Sequence, residues 1–205
     1  MEHHGHRPMM SEDRAAMLWE WHRRAAAGLA ELGRHTTNYL GLYLVILEDV
    51  FPPTPTSDLL GSAVLDEAGP GDRVLDMGTG GGSNALLAAR TASDVIGVDI
   101  NPAAVAAATA NAVRNGLADR ARSVVGDLFE PVDGRFDLII YDPPFRWLRP
   151  RSTLEQAVAD EGYRSLTRFM AEVGDRLSDD GRLLLFFGTT GDIDYLHQLL
   201  DDAGL

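Results

Sequence analysis

The 205-residue sequence contains no cysteine. That excludes a disulfide framework, a cysteine-ligated zinc site, an iron–sulfur cluster and a thiol nucleophile. It contains no lysine either, since all 18 basic residues are arginine. Schiff-base chemistry and the lysine of a nucleoside-triphosphate phosphate loop are therefore excluded. No apolar run reaches the ~18 residues that a membrane span needs. The opening MEHHGHRPMM has no apolar core of a secretory leader. Positive charge is scarce: 18 basic residues face 31 acidic ones, for a net charge of −13. Such a chain repels phosphate backbones, so bulk nucleic-acid binding is not expected. A cytoplasmic location fits the lack of cysteine and of a leader.

What is present describes an ordinary globular chain, 45% hydrophobic and 24% charged. A chain of this length buries roughly 70% of its unfolded surface, enough for a real core. Residues 1–10, with His3, His4 and His6, read as a polar tail. Apolar residues at helical spacing (Ala15, Leu18, Trp19, Ala26, Leu29, Leu32) predict a helix over 11–32, stopped by Gly33. This tail and helix, residues 1–35, are expected to form a short extension to a main domain spanning 36–205.

YLGLYLVILEDV (39–50) predicts an extended segment, and the prolines of FPPTPTSD keep the chain out of the helical region. Thr56 or Ser57 is expected to cap a helix that Gly69-Pro70-Gly71 ends. From Arg73 onward strand and helix alternate. Strands are predicted at RVLDMG, 94–100, 121–127, 136–142 and 181–188. Helices are predicted at 83–91, from Pro102 to Gly116 behind an Asn101 cap, through Leu166–Leu177, and from Ile193 to Ala203. This is the pattern of an open, doubly wound, mainly parallel α/β sheet. In such sheets ligands bind at the carboxyl ends of the strands.

The strongest local signal is VLDMGTGGG (74–82), a strand running into Gly78, Thr79, Gly80 and Gly82 and then into a helix. By itself the glycine pattern equally suits a nicotinamide dinucleotide. Asp76 separates the readings, because a carboxylate aimed into this loop suits an ammonium and repels a pyrophosphate. Asp99 ends the second strand 23 residues later and can accept from both hydroxyls of a ribose; Ile100 follows it. Asp127 and Leu128 end the third strand, where a carboxylate can take an adenine amino group and a leucine can pack on the purine. Ammonium, ribose and adenine without phosphate describe S-adenosylmethionine.

VLDMGTGGG, VIGVDIN, GDLF and IIYDPPF, in this order and spacing, resemble the class I S-adenosylmethionine-dependent methyltransferases over about residues 73–188. The resemblance implies a seven-stranded sheet with the cofactor over its first two strands. Only five strands are legible, so the C-terminal edge strands are expected to be missing.

Asp142-Pro143-Pro144-Phe145 follows the fourth strand. Asp142 and the Pro143 carbonyl can each accept one hydrogen of a planar NH₂, aiming its lone pair at a sulfonium methyl. Phe145 can stack on the planar group. The motif resembles the Asp/Asn-Pro-Pro-aromatic signature of amino-methyltransferases. These include adenine-N6 and ribosomal RNA guanine-N2 enzymes and the HemK-like enzymes that methylate a release-factor glutamine. VFPPTPTSDLL also resembles the HemK-like lead-in. HemK-like enzymes usually carry Asn where Asp142 stands and have a larger N-terminal helical domain. Arg146, Trp147, Arg149 and Arg151 follow on a loop that can clamp a phosphate or carboxylate and stack a ring, or serve as a solvated surface. The expectation is an amino- or amide-nitrogen methyltransferase acting on a peptide glutamine or a small molecule. An RNA or DNA base methyltransferase is the alternative, and no metal is required. A nicotinamide-dependent oxidoreductase and a non-catalytic cofactor-binding module are less favoured.

Overall fold

The computed structural model describes residues 8–29 and 33–205, with the side chains of 23–29 left out. His3, His4, His6 and Leu32, and the side chains of Ala26 and Leu29, lie outside the described residues. In chain order the elements are α1 (Glu12–Leu29), β1 (His35–Tyr39), β2 (Leu42–Ile46), α2 (Ser57–Glu67), β3 (Arg73–Met77), α3 (Ser83–Ala88) and β4 (Asp94–Asp99). There follow α4 (Pro102–Arg114), β5 (Ala121–Val125), β6 (Phe136–Tyr141), α5 (Thr153–Gln156), α6 (Arg164–Arg176), β7 (Leu177–Leu185) and α7 (Ile193–Ala203). They fall into two compact units, one of residues 34–142 and 175–186, the other of residues 1–33, 143–174 and 187–205. Among the described residues no helix is long and apolar enough to cross a membrane.

The first unit holds a five-stranded parallel sheet in the order β5-β4-β3-β6-β7. The chain starts in the middle at β3, winds outward to β5, then returns to pair β6 against β3. That reversal is the topological switch point at which open sheets bind ligands. Buried, β-branched strands such as Phe136–Tyr141 suit a sheet covered on both faces. Val74, Val95, Leu138 and Ile140 lie in one apolar cluster with the alanines of α3 and α4 and with Leu44 and Ile46 of β2. The small alanine side chains let these helices approach the sheet closely. The sequence expectation of an open, parallel α/β sheet flanked by helices holds, with five strands among the described residues.

Three local expectations change. The segment 39–50 is half of an antiparallel hairpin whose other strand is His35–Tyr39. The chain reverses at Leu40 and Gly41, both with positive φ (44° and 81°), the geometry of a two-residue hairpin turn. Thr56 stands at the start of α2 but makes no side-chain cap. Instead Ser57 Oγ accepts from the Thr54 N–H at 3.0 Å, tying down the proline-rich approach. The last strand begins at Leu177 rather than Gly181, because an irregularity after the Phe136–Leu177 pair takes up the Asp-Asp-Gly stretch.

The hairpin is anchored by two asparagines of α4 one turn apart. Leu42, Leu44 and Ile46 face their partners in β1, leaving the alternate backbone groups of β2 at the edge. Tyr43 N–H donates to Asn115 Oδ1 and its carbonyl accepts from Asn115 Nδ2. Val45 does the same with Asn111, at 2.9 and 3.1 Å. Asn111 is fully buried and also donates to the Gly81 carbonyl at 2.9 Å, so one amide joins hairpin, helix and glycine loop.

Asn111→Leu should destabilise the protein by about 2–4 kcal/mol, because it strands the Val45 N–H and the Val45 and Gly81 carbonyls. Asn115→Ala, at the more exposed end of the strand, should cost about 1 kcal/mol. Urea unfolding of the two variants measures the difference.

Candidate functional site

The glycine loop is organised by Asp76, on the fourth residue of β3 and only 2% exposed. Its Oδ2 accepts from the Thr79 hydroxyl at 2.6 Å and from the Ala85 N–H of α3 at 3.0 Å. The loop is further pinned by the Thr79 N–H on the Val98 carbonyl at 2.9 Å. This arrangement needs glycine at position 97, opposite Asp76 on β4. A Cβ there would stand 2.7 Å from Thr79 Oγ1. Gly78, Gly80 and Gly82 all have positive φ (68°, 54° and 87°), a region other residues enter only with strain. A Cβ on Gly80 would meet nothing within 4 Å, so the loop presents bare backbone to open space.

Asp99, at the end of β4, accepts from the Gly80 N–H with Oδ2 and from the Asn101 N–H with Oδ1, each at 2.8 Å. These bonds fix its rotamer and leave each oxygen a second lone pair. Asn101 in turn caps α4 through the Ala103 N–H, as the sequence predicts. Ile100 is largely exposed beside it. Gly126 N–H donates to the Asp99 carbonyl, which holds the end of β5 against the end of β4 and brings Asp127 next to Asp99. Leu128 is buried with φ at 50°, a strained conformation for a leucine. Asp76, Thr79, Asp99, Asp127 and Asp142 thus stand at the carboxyl ends of β3, β4, β5 and β6.

Asp142 follows β6. Its carboxyl makes no hydrogen bond to any described residue, and burial pushes it up to about 6. Burial likewise pushes Asp76 up to about 7, against its two hydrogen bonds, and the charges of Asp99 and Asp142 add to the rise. Burial also raises Asp99. Tyr39 was not singled out in the sequence. It ends β1, donates to the Ser57 carbonyl at 2.7 Å, and is pushed up to about 12 by burial and by Asp58, Asp142 and Asp76. A site that gathers several carboxyls, each harder to ionise for lack of a counter-charge, is suited to receive a cation.

In the second unit the remaining candidates have different surroundings. The Phe145 carbonyl accepts from the Tyr163 hydroxyl at 2.9 Å, and that hydroxyl accepts from the Asp192 N–H at 2.8 Å. The Phe145 ring packs 5.9 Å from that of Phe187, and a Cβ on Gly188 would meet it at 2.8 Å. Pro143 is buried and Pro144 half-buried. Trp147 is 7% exposed and packs on Tyr163, so its indole fills the interior of this unit rather than offering a stacking surface. Arg149 and Arg151 are exposed, whereas Arg146 is half-buried.

The raised carboxyls set a pH dependence. Between the ordinary value of 3.8 and the raised values near 6 and 7, the folded state holds more protons than the unfolded chain. Their contribution to stability is therefore present in acid and is lost as pH rises through this window. In urea unfolding from pH 5 to pH 8, Asp76→Asn and Asp142→Asn should each flatten the decline seen in the unsubstituted protein.

Residues 54–199 match the family model described as the methyltransferase small domain. The ribosomal RNA small subunit methyltransferase C of Alcanivorax borkumensis is 36% identical over 150 residues, 70% of this chain and 41% of the relative. The release factor glutamine methyltransferase of Rhodospirillum rubrum is 42% identical over 121 residues, 57% of this chain and 37% of the relative. The chain thus spans less than half the length of either relative. Among solved structures, the 16S rRNA N2 G1207 methyltransferase of T. thermophilus, in complex with AdoMet and guanosine, matches with a TM-score of 0.64 and 26% identity. That match covers 83% of this chain and 45% of the other. The carboxylates at the strand ends and the bare glycine loop fit the ammonium, ribose and adenine of S-adenosylmethionine. The chain belongs to the methyltransferase small domain family, built on the class I S-adenosylmethionine-dependent methyltransferase fold.

Proposed function

We propose that this domain methylates the amide nitrogen of a glutamine side chain in a protein, with S-adenosylmethionine as cofactor. The observation that carries the reading is Asp142, a half-buried carboxyl at the switch point with no hydrogen-bond partner among the described residues. A group left unmet in a partly buried place is costly unless a ligand completes it. When bound, the cofactor supplies an electrophilic sulfonium methyl. Asp76 balances the ammonium while keeping the loop closed, and the second lone pairs of Asp99 receive the ribose hydroxyls. Asp127 receives the adenine amino group, and Leu128 and Ile100 flank the ring.

An amide nitrogen is a poor nucleophile because its lone pair is delocalised. Asp142 accepts one of its hydrogens, and the next acceptor along the chain, the Pro143 carbonyl, is suited to the other. Both favour a tetrahedral nitrogen with its lone pair free for in-line attack. Phe145 supplies the aromatic face for the planar amide.

The net charge of −13 and the release factor relative favour a protein substrate. The ribosomal RNA relative favours a second reading, the exocyclic amino group of a guanine. Incubation with labelled S-adenosylmethionine and either a release factor or ribosomal RNA separates them. Label in the protein, on a glutamine, is the expected result; label confined to RNA would establish the second reading.

Asp142→Ala should keep cofactor affinity and lower kcat by about 10²-fold or more, the scale of a lost transition-state hydrogen bond. Asp142→Asn should be milder, since an amide oxygen still accepts. Equal damage from both would make Asp142 a general base instead. Asp99→Ala should weaken S-adenosylhomocysteine binding by about 1–3 kcal/mol in calorimetry. Binding should also tighten from pH 5.5 to pH 8, because the ligand's ammonium favours ionised Asp76, whose carboxyl burial pushes up to about 7.

A further inference from the structure

Arg146 has surroundings that a surface arginine lacks. Its guanidinium lies over the Trp21 ring, 4.6 Å from the centroid, and 5.4 Å from the centroid of Phe145. Its Nη1 meets His22 Nδ1 at 3.2 Å. Its Nε is buried and has no hydrogen-bond partner among the described residues. Burial alone lowers its pKa, with no carboxylate opposing the shift.

The partner is neutral. His22 is 4% exposed, and burial together with Arg146 and Arg151 lowers its pKa against the opposing pull of Glu155. Glu155 is engaged elsewhere. Its Oε2 accepts from the Arg151 N–H at 2.7 Å, while its own N–H donates to Ser152 Oγ, a reciprocal cap at the start of α5. Buried arginines normally pair with an acid, because a charge taken from water without compensation is expensive. Among the described residues the polar partner of this half-buried guanidinium is an imidazole nitrogen, and no carboxylate bonds it.

The geometry specifies what would compensate it. With Nη1 on His22, the edge made by Nε and Nη2 has no partner among the described residues. These two N–H groups lie parallel and in one plane, spaced to match the two oxygens of a carboxylate. Trp21 and Phe145 both pack against the guanidinium, and the Nε atom they help to bury is a donor left for a ligand to meet.

We propose that the Nε–Nη2 edge of Arg146 is a binding site for the carboxylate of a small organic acid or of an acidic side chain. His22 and Trp21 are positioning residues that hold its plane.

The test follows the side-chain Nε–H resonances of ¹⁵N-arginine-labelled protein, with neither cofactor nor substrate present. Arg146 is assigned by its contacts to the Trp21 indole and by its loss in Arg146→Lys, which keeps the charge. Sodium acetate should move this resonance saturably, with a midpoint at least tenfold below that for sodium chloride at matched ionic strength. The shift should survive Arg149→Gln/Arg151→Gln and also Asp142→Asn, so failure of the Asp142 reading leaves this result standing. A response to acetate no stronger than to chloride would overturn the proposal. Saturation by inorganic phosphate without saturation by acetate would overturn the carboxylate assignment. Loss of the shift in Arg149→Gln/Arg151→Gln would place the site elsewhere on the loop.

Discussion

The buried carboxyl of Asp76 is the constraint from which the cofactor site follows. β3 must end, turn through five residues and restart as α3 over the same sheet edge, and a turn that tight leaves backbone donors unmet. Asp76 meets one of them at Ala85 and holds Thr79 in place with the same oxygen. Everything adjacent accommodates that clasp. Gly97 leaves room for Thr79, the positive φ of Gly78, Gly80 and Gly82 carries the backbone round, and Asn111 receives the loop at Gly81. The clasp is costly, because burial drives the carboxyl up to about 7. A fold that keeps such a group where it is hard to ionise has a use for its charge when a cation arrives.

Asp76 and Asp99 brace the glycine loop without exhausting their lone pairs. Each spends lone pairs on backbone or hydroxyl donors of the glycine loop, and each keeps acceptor capacity for a ligand. Asp142 differs, since it holds no part of the loop and has no hydrogen-bond partner among the described residues. The first two are therefore expected to be structural and functional at once. Asp142 is free to act on whatever is brought to it. This division explains how one sheet edge gathers several acids without losing the loop they surround.

The alternation of strand and helix, the carboxylates at the strand ends and the Asp-Pro-Pro-Phe corner were legible in the sequence because each is local. A strand, a glycine turn and a helix cap are written within a few neighbouring residues, and Asn101 with Pro102 announces α4 unaided. The hairpin was half missed because Leu-Gly is a weak turn signal and β1 is polar at each of its first four positions, with no apolar alternation to announce a strand. Its anchorage to Asn111 and Asn115 was not legible at all. An asparagine in an alanine-rich helix reads as a surface residue until the strand 66 residues away is laid beside it. Tyr39 was missed for the same reason, since its significance lies in the acids brought near it.

The same limit governs the arginine loop. Sequence alone placed Arg146, Trp147, Arg149 and Arg151 together as one basic, aromatic stretch. Packing separated them: Trp147 turned inward onto Tyr163, Arg149 and Arg151 stayed in solvent, and Arg146 was laid on Trp21 and His22 from more than 120 residues away. The sequence by itself determined the fold class and the cofactor chemistry, and it placed the Asp-Pro-Pro-Phe corner at the end of β6. All three depend on residue types at short spacing, where local sterics and hydrogen bonding decide. Only the tertiary structure decided which acids are buried and raised, which is unpartnered, and which arginine lacks a counter-charge. Desolvation and pairing are properties of the space around a group, and that space is filled by residues distant in the chain.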